Sequence, residues 1–117
     1  MKKTFLICLT FLLSCSSDPL TRLQSRAKTV CKNFARELKE VEEKSDAETR
    51  QEHFKDYYLE LADLILEFKD LDPKKLKENQ NVYSPGLKKE MIRVYQIDGV
   101  REVLEDAQKE AVIKLST

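Results

Sequence analysis

The sequence predicts an all-α fold, a small bundle of three to four amphipathic helices. Three observations carry it. Charged residues make up 36% of the 117 positions, yet there are only two Gly and three Pro, a balance that favours helices over a β-sandwich or barrel. Apolar residues recur at steps of three and four along most of the chain, and no alternating strand pattern is present. Proline follows a capping residue twice, at Asp18-Pro19 and Ser84-Pro85, which is the signature of a helix start.

The first helix is expected over 19–44, with Asp18 as N-cap. Leu20, Leu23, Ala27, Val30, Phe34, Leu38 and Val41 form its apolar stripe. Ser45-Asp46-Ala47-Glu48 matches a capping box with Ser45 at the N-cap and Glu48 at N3, so a second helix starts there. It carries Phe54, Tyr57, Tyr58, Leu61, Leu64, Ile65 and Phe68, and ends near Asp70 because Asp72-Pro73 disfavours continuation. The short link makes these two helices an antiparallel hairpin.

One helical turn over 73–78 and a loop at Asn79-Gln80-Asn81 follow. A third helix opens at Pro85, with Leu87, Met91, Val94 and Tyr95 inward. Extending that series lands on Asp98 and Arg101, whereas Val100, Val103, Leu104, Ala107, Ala111 and Leu115 share another register. The pattern therefore changes at Asp98-Gly99, either as a kink or as the start of a fourth helix at about 100–115.

The first residues read as an address. Met1-Lys2-Lys3 is a positive start, and Thr4 to Leu13 is an apolar run of ten residues, half of what a spanning helix needs. Leu12-Leu13-Ser14-Cys15 follows. This motif resembles the lipobox of bacterial lipoproteins, and the resemblance covers residues 1–15. It implies a signal peptide over 1–14, cleavage by signal peptidase II between Ser14 and Cys15, and a diacylglyceryl group on the Cys15 sulfur, with further acylation of the new amino terminus in many bacteria. Two or three acyl chains hold a protein on a bilayer where one does so only reversibly. An ordinary secreted protein and an uncleaved anchor are the alternatives. Residues 15–18 become the lipidated cysteine and a short tether, and residues 19–117 the helical domain. Ser16, rather than an acid, after the lipidated cysteine favours the outer over the inner membrane if the host has one.

Charge falls in blocks. Residues 19–39 carry net +5, residues 40–72 net −8, residues 73–93 net +4 and residues 94–117 net −2. The near-neutral total leaves no footprint for nucleic acid. Arg22, Arg26, Lys28 and Lys32 follow the lipid site closely and are candidate contacts for anionic headgroups; pairing with the acidic second helix is the competing role.

No constellation points to an enzyme. His53 is the sole histidine, and no ligand lies at helical spacing from it, so no metal is expected. Asp56, Glu60, Asp63, Glu67 and Asp70 form a carboxylate stripe that reads as a solvated or protein-contact face. The two glycines, Gly86 and Gly99, are too far apart for a phosphate loop, and no cofactor is expected. Cys31 lies at the apolar face and is expected buried; the alternative is a disulfide linking two chains as a homodimer. Tyr57, Tyr58, Tyr83 and Tyr95 are expected at the edge of the core. The sequence thus predicts an envelope lipoprotein with a protein partner, or alternatively a self-associating structural or stress-related envelope component.

Overall fold

The computed structural model describes residues 19–71 and 85–116. The expectations for the signal peptide, Ser14, Cys15, the tether, the Asp18 and Ser84 caps, the 73–78 turn, the 79–81 loop and Tyr83 lie outside these residues. The described residues form α-helices joined by turns and short irregular stretches, with no strand among them. The helices are α1 (Pro19–Leu38), α2 (Lys44–Thr49), α3 (Gln51–Leu71), α4 (Pro85–Tyr95) and α5 (Val100–Ser116). That is five among the described residues, rather than the three to four the periodicity suggested.

α1 buries Leu23, Ala27, Val30, Cys31, Phe34, Ala35 and Leu38. It stops at Leu38, six residues short of the expected end. The chain turns there, with Val41 N–H donating to the Leu38 carbonyl at 3.0 Å, and Val41 still reaches the core at 0% exposure. A longer helix would continue past the bundle, whereas the turn folds Val41 back into it.

The extra helix comes from the segment expected to open the second one. The cap sits two residues earlier than the Ser45/Glu48 expectation. Asp46 Oδ2 accepts the backbone N–H groups of Glu42 at 3.0 Å and Glu43 at 3.2 Å, and the Ser45 hydroxyl donates to Glu43 at 2.7 Å. The short Asp46 side chain reaches back over one turn, so Glu43 takes the N-cap place. α2 then ends at Arg50, whose backbone (φ −100°, ψ 6°) leaves the helical region. This break lets Ala47 pack toward α5 while Phe54 packs on α1.

α3 packs on both α1 and α5, and α4 packs on the same two helices; α1 does not touch α5. α1, α3, α5 and α4 thus form a closed ring of contacts, with α1 and α5 on opposite sides of it. Contacts between α1 and α3 run in opposite chain directions: Arg26 meets Glu67, and Phe34 meets Phe54. Phe34, at 0% exposure, is the centre of an aromatic cluster. Its ring lies 5.7 Å from Phe54, 5.1 Å from Tyr57 and 5.0 Å edge-on from Tyr58.

The register change at Asp98-Gly99 is a turn between two helices. Ile97 N–H donates to Val94 and Val100 N–H to Ile97. Gly99 has φ 83°, the left-handed region that favours glycine. α5 buries Val100, Val103, Leu104, Ala107 and Ala111 as expected, but Leu115 is exposed. Ile65, expected in the core, is half-buried, because α3 turns Leu64 inward instead.

One contact with no sequence signature ties α4 to the end of α1. Arg93 donates to the Leu38 carbonyl at 2.8 Å and the Val41 carbonyl at 3.1 Å, and its Nε pairs with the buried Glu90 at 2.9 Å. The guanidinium thus adds a second donor to the Leu38 carbonyl, which already accepts from Val41 N–H, and supplies one to the Val41 carbonyl just past the helix end.

Candidate interaction site

A groove of about 700 Å³ opens along α4, within the size range of binding pockets. Leu87, Met91, Ile92 and Tyr95 line it from α4, Tyr58 from α3, and Lys88 stands at its rim. The Tyr58 hydroxyl donates to Met91 Sδ at 3.8 Å, while the Tyr58 ring rests edge-on against Phe34, so the groove floor is fixed by the core. Arg101 lies 5.7 Å from the Tyr95 ring centre. Burial raises the Tyr95 phenol pKa, and the Glu105 charge raises it further, against smaller opposing effects of Arg101 and Tyr58. Tyr95 therefore stays neutral, with an apolar ring face on offer. Ile92 is 57% exposed at the groove edge, beside Lys88 and Lys89. An apolar surface rimmed by lysines suits a partner segment with apolar anchors and acidic flanks.

A second cluster forms where α1 meets α3. Glu37 Oε1 lies 2.5 Å from His53 Nδ1 and 3.4 Å from Arg50. Burial alone would raise the Glu37 pKa. The hydrogen bonds from His53 and Tyr57, with the charges of His53 and Arg50, outweigh it and hold the carboxyl below its ordinary value. The same hydrogen bond and charge raise the His53 pKa. The cluster joins two helices on the surface of the bundle, and His53 faces solvent. Among the described residues no group of three or more His, Cys, Asp or Glu side chains is placed to hold a metal ion.

The candidate headgroup contacts divide. Arg26 pairs with Glu67 at 3.5 Å, and Arg22 lines a cleft with Glu67 and Asp70, so both stand on the side toward the acidic helix while remaining exposed. Lys28 and Lys32 are exposed. The carboxylate stripe of α3 is partly used in the same way. Asp63 pairs with Lys114 of α5 and Glu67 with Arg26, while Lys55 of α3 meets Glu110 of α5 at 3.0 Å. Cys31 is fully buried, so a disulfide between two chains would require α1 to open. Among the described residues no helix is long and apolar enough to cross a membrane.

Sequence reasoning singled out Met91 and Tyr95 as inward positions and missed the groove. Its lining comes from position 58, from positions between 85 and 95, and from position 108, which only the packing of α3, α4 and α5 unites. Comparison with protein families, curated proteins and solved structures finds no match to this chain.

Proposed function

We propose that the chain is a bacterial envelope lipoprotein, anchored through lipid on Cys15, whose helical domain is a non-enzymatic accessory module that binds another protein. The Leu12-Leu13-Ser14-Cys15 motif supports the anchor. The observation that carries the binding role is the groove of Tyr58, Met91 and Tyr95, with Ile92 exposed at its edge. In this reading α1 and α5, on which α4 packs, give it a backing, and Tyr58 of α3 closes the groove floor. The outer membrane is the favoured site, since Ser16 follows Cys15.

A photo-crosslinking amino acid at Ile92, activated in intact cells, tests the role. A discrete adduct with a different protein, absent when the crosslinker stands at Asp56, is the expected result. Adducts only with the chain itself favour the second reading, self-association. One observation speaks for that reading: Val112, Ile113 and Leu115 are exposed near the end of α5. No adduct from Ile92 overturns the groove as a docking site.

A further inference from the structure

α1 is the helix nearest the proposed anchor in the chain, and its outward face carries a single sign of charge. Lys28, Lys32, Arg36 and Lys39 are all exposed. At about 100° of rotation per residue they share the half of the helix opposite Ala27, Val30 and Phe34. Lys39 continues the row through the turn that follows Leu38. No carboxylate of α1 lies among them. Its one acid, Glu37, sits on the flank toward α3, held by His53 and Arg50. None of the four cations makes an ion pair among the described residues. α3 and α4 pack against the other side of α1, so no described helix covers this row.

We propose that this face of α1 lies flat on an anionic bilayer leaflet. The inference rests on the lipid-anchor reading and adds an orientation to it. Three residues lie between Cys15 and Pro19, four steps along the chain and a reach of at most about 14 Å. An upright α1 would carry Lys39 about 30 Å from its own start, far beyond the screening length of about 8 Å at physiological salt. Only a helix parallel to the surface brings all four cations within that length. Charge elsewhere favours the same pose. α3 holds six acids against two bases, and these would be repelled by an anionic surface. The groove of α4 has no lining residue from α1, so it stays open to a partner when α1 lies on the leaflet.

Acetylation of lysine amines, read by mass spectrometry, tests the pose. The mature protein purified from its membrane would be placed on phosphatidylglycerol vesicles and, separately, on phosphatidylcholine vesicles. On the anionic vesicles Lys28, Lys32 and Lys39 should react at least about fivefold more slowly than on the zwitterionic ones, a factor that matches the attraction of one cation to such a surface. Lys109 of α5 should be unchanged, and 1 M salt should abolish the difference. Equal rates on both vesicles overturn the proposal. So does slowing confined to Lys28, which would mean an upright helix, or slowing seen in cells but on neither vesicle, which would mean a protein covers the face.

The anchor is read separately from the mass of the N-terminal peptide. If that peptide carries no lipid, the anchor reading fails. The chain should then still partition to phosphatidylglycerol and not to phosphatidylcholine, with the same lysine pattern. In that unlipidated form the triple variant Lys28→Gln, Lys32→Gln, Lys39→Gln should lower partition about a hundredfold. Its thermal melt should match that of the parent, since all three side chains are exposed.

Discussion

Glu37 shows how one side chain can join two helices and leave a pH signature. It is nearly enclosed, with 12% of its side chain exposed, and His53 and Arg50 supply the opposing charge. The sign of the linkage follows from the two shifts. His53 is raised, so its contribution to stability is complete below about pH 6.5 and is lost as pH rises through the raised value. Glu37 is lowered, so its contribution is complete above about pH 4.3 and is lost as pH falls through the lowered value. The pair is therefore strongest between about pH 4.3 and 6.5. An NMR titration should place the His53 midpoint above 6.5, and Glu37→Gln should bring it back toward that value. His53→Asn should lower the melting temperature at pH 5.5 and leave it unchanged at pH 9. Equal effects at both values would mean that the imidazole acts by packing. The sequence marked His53 only as a histidine without ligands. Its partner stands 16 residues away in another helix, a distance no local pattern spans.

At the scale of elements, the stripes of α1, α4 and α5 were legible because each helix buries one side and repeats it every three to four residues. The ends were less so. α1 stops at Leu38 although its apolar steps run on to Val41, because a turn can bury Val41 as well as a helix can. Arg50 splits the expected second helix for a reason of packing: Ala47 and Phe54 go to different neighbours. In α3 the apolar neighbours Leu64 and Ile65 compete for the core, and the structure gives it to Leu64 at 1% exposure. Leu64→Ala should cost about 2–4 kcal/mol in urea melts, and Ile65→Ala less than about 1.5 kcal/mol. Equal losses would mean that α3 is rotated from the position described. Arg93 joins elements that share no pattern at all. Arg93→Ala removes the donor to two carbonyls at the end of α1 and leaves Glu90 without its partner, and it should cost about 2–3 kcal/mol. Glu90→Gln keeps those carbonyl bonds and should cost about 1 kcal/mol. If the two variants were equally damaging, the ion pair rather than the clasp on α1 would dominate.

Across the whole molecule, charge is sorted by helix. α1 has five bases against one acid and α4 three against one, whereas α3 has two against six and α5 three against four. α1 adjoins α4, and α3 adjoins α5, so the bundle has a basic edge and an acidic edge. The blocks along the chain foretold this alternation, but which blocks become neighbours depends on the packing. The proposed anchor makes that asymmetry matter, because it brings the basic helix to the bilayer first. The proposed anchor rests on sequence alone: acylation and cleavage need only an apolar run, a small residue and a thiol in consecutive positions. Its prediction is correspondingly sharp. Cys15 should be the first residue of the mature protein and carry the lipid, and the protein should stay with membranes in high salt and partition into detergent. Charge alone would not hold it there, since 1 M salt shortens the screening length to about 3 Å. Cys15→Ser removes the sulfur that the diacylglyceryl group attaches to. It should abolish acylation and leave a precursor longer by the 14 residues of the signal. Mass spectrometry of the N-terminal peptide is the measurement. An unmodified Cys15 inside the native envelope protein would remove the anchor, and the α1 face would then be left to hold the membrane by charge alone.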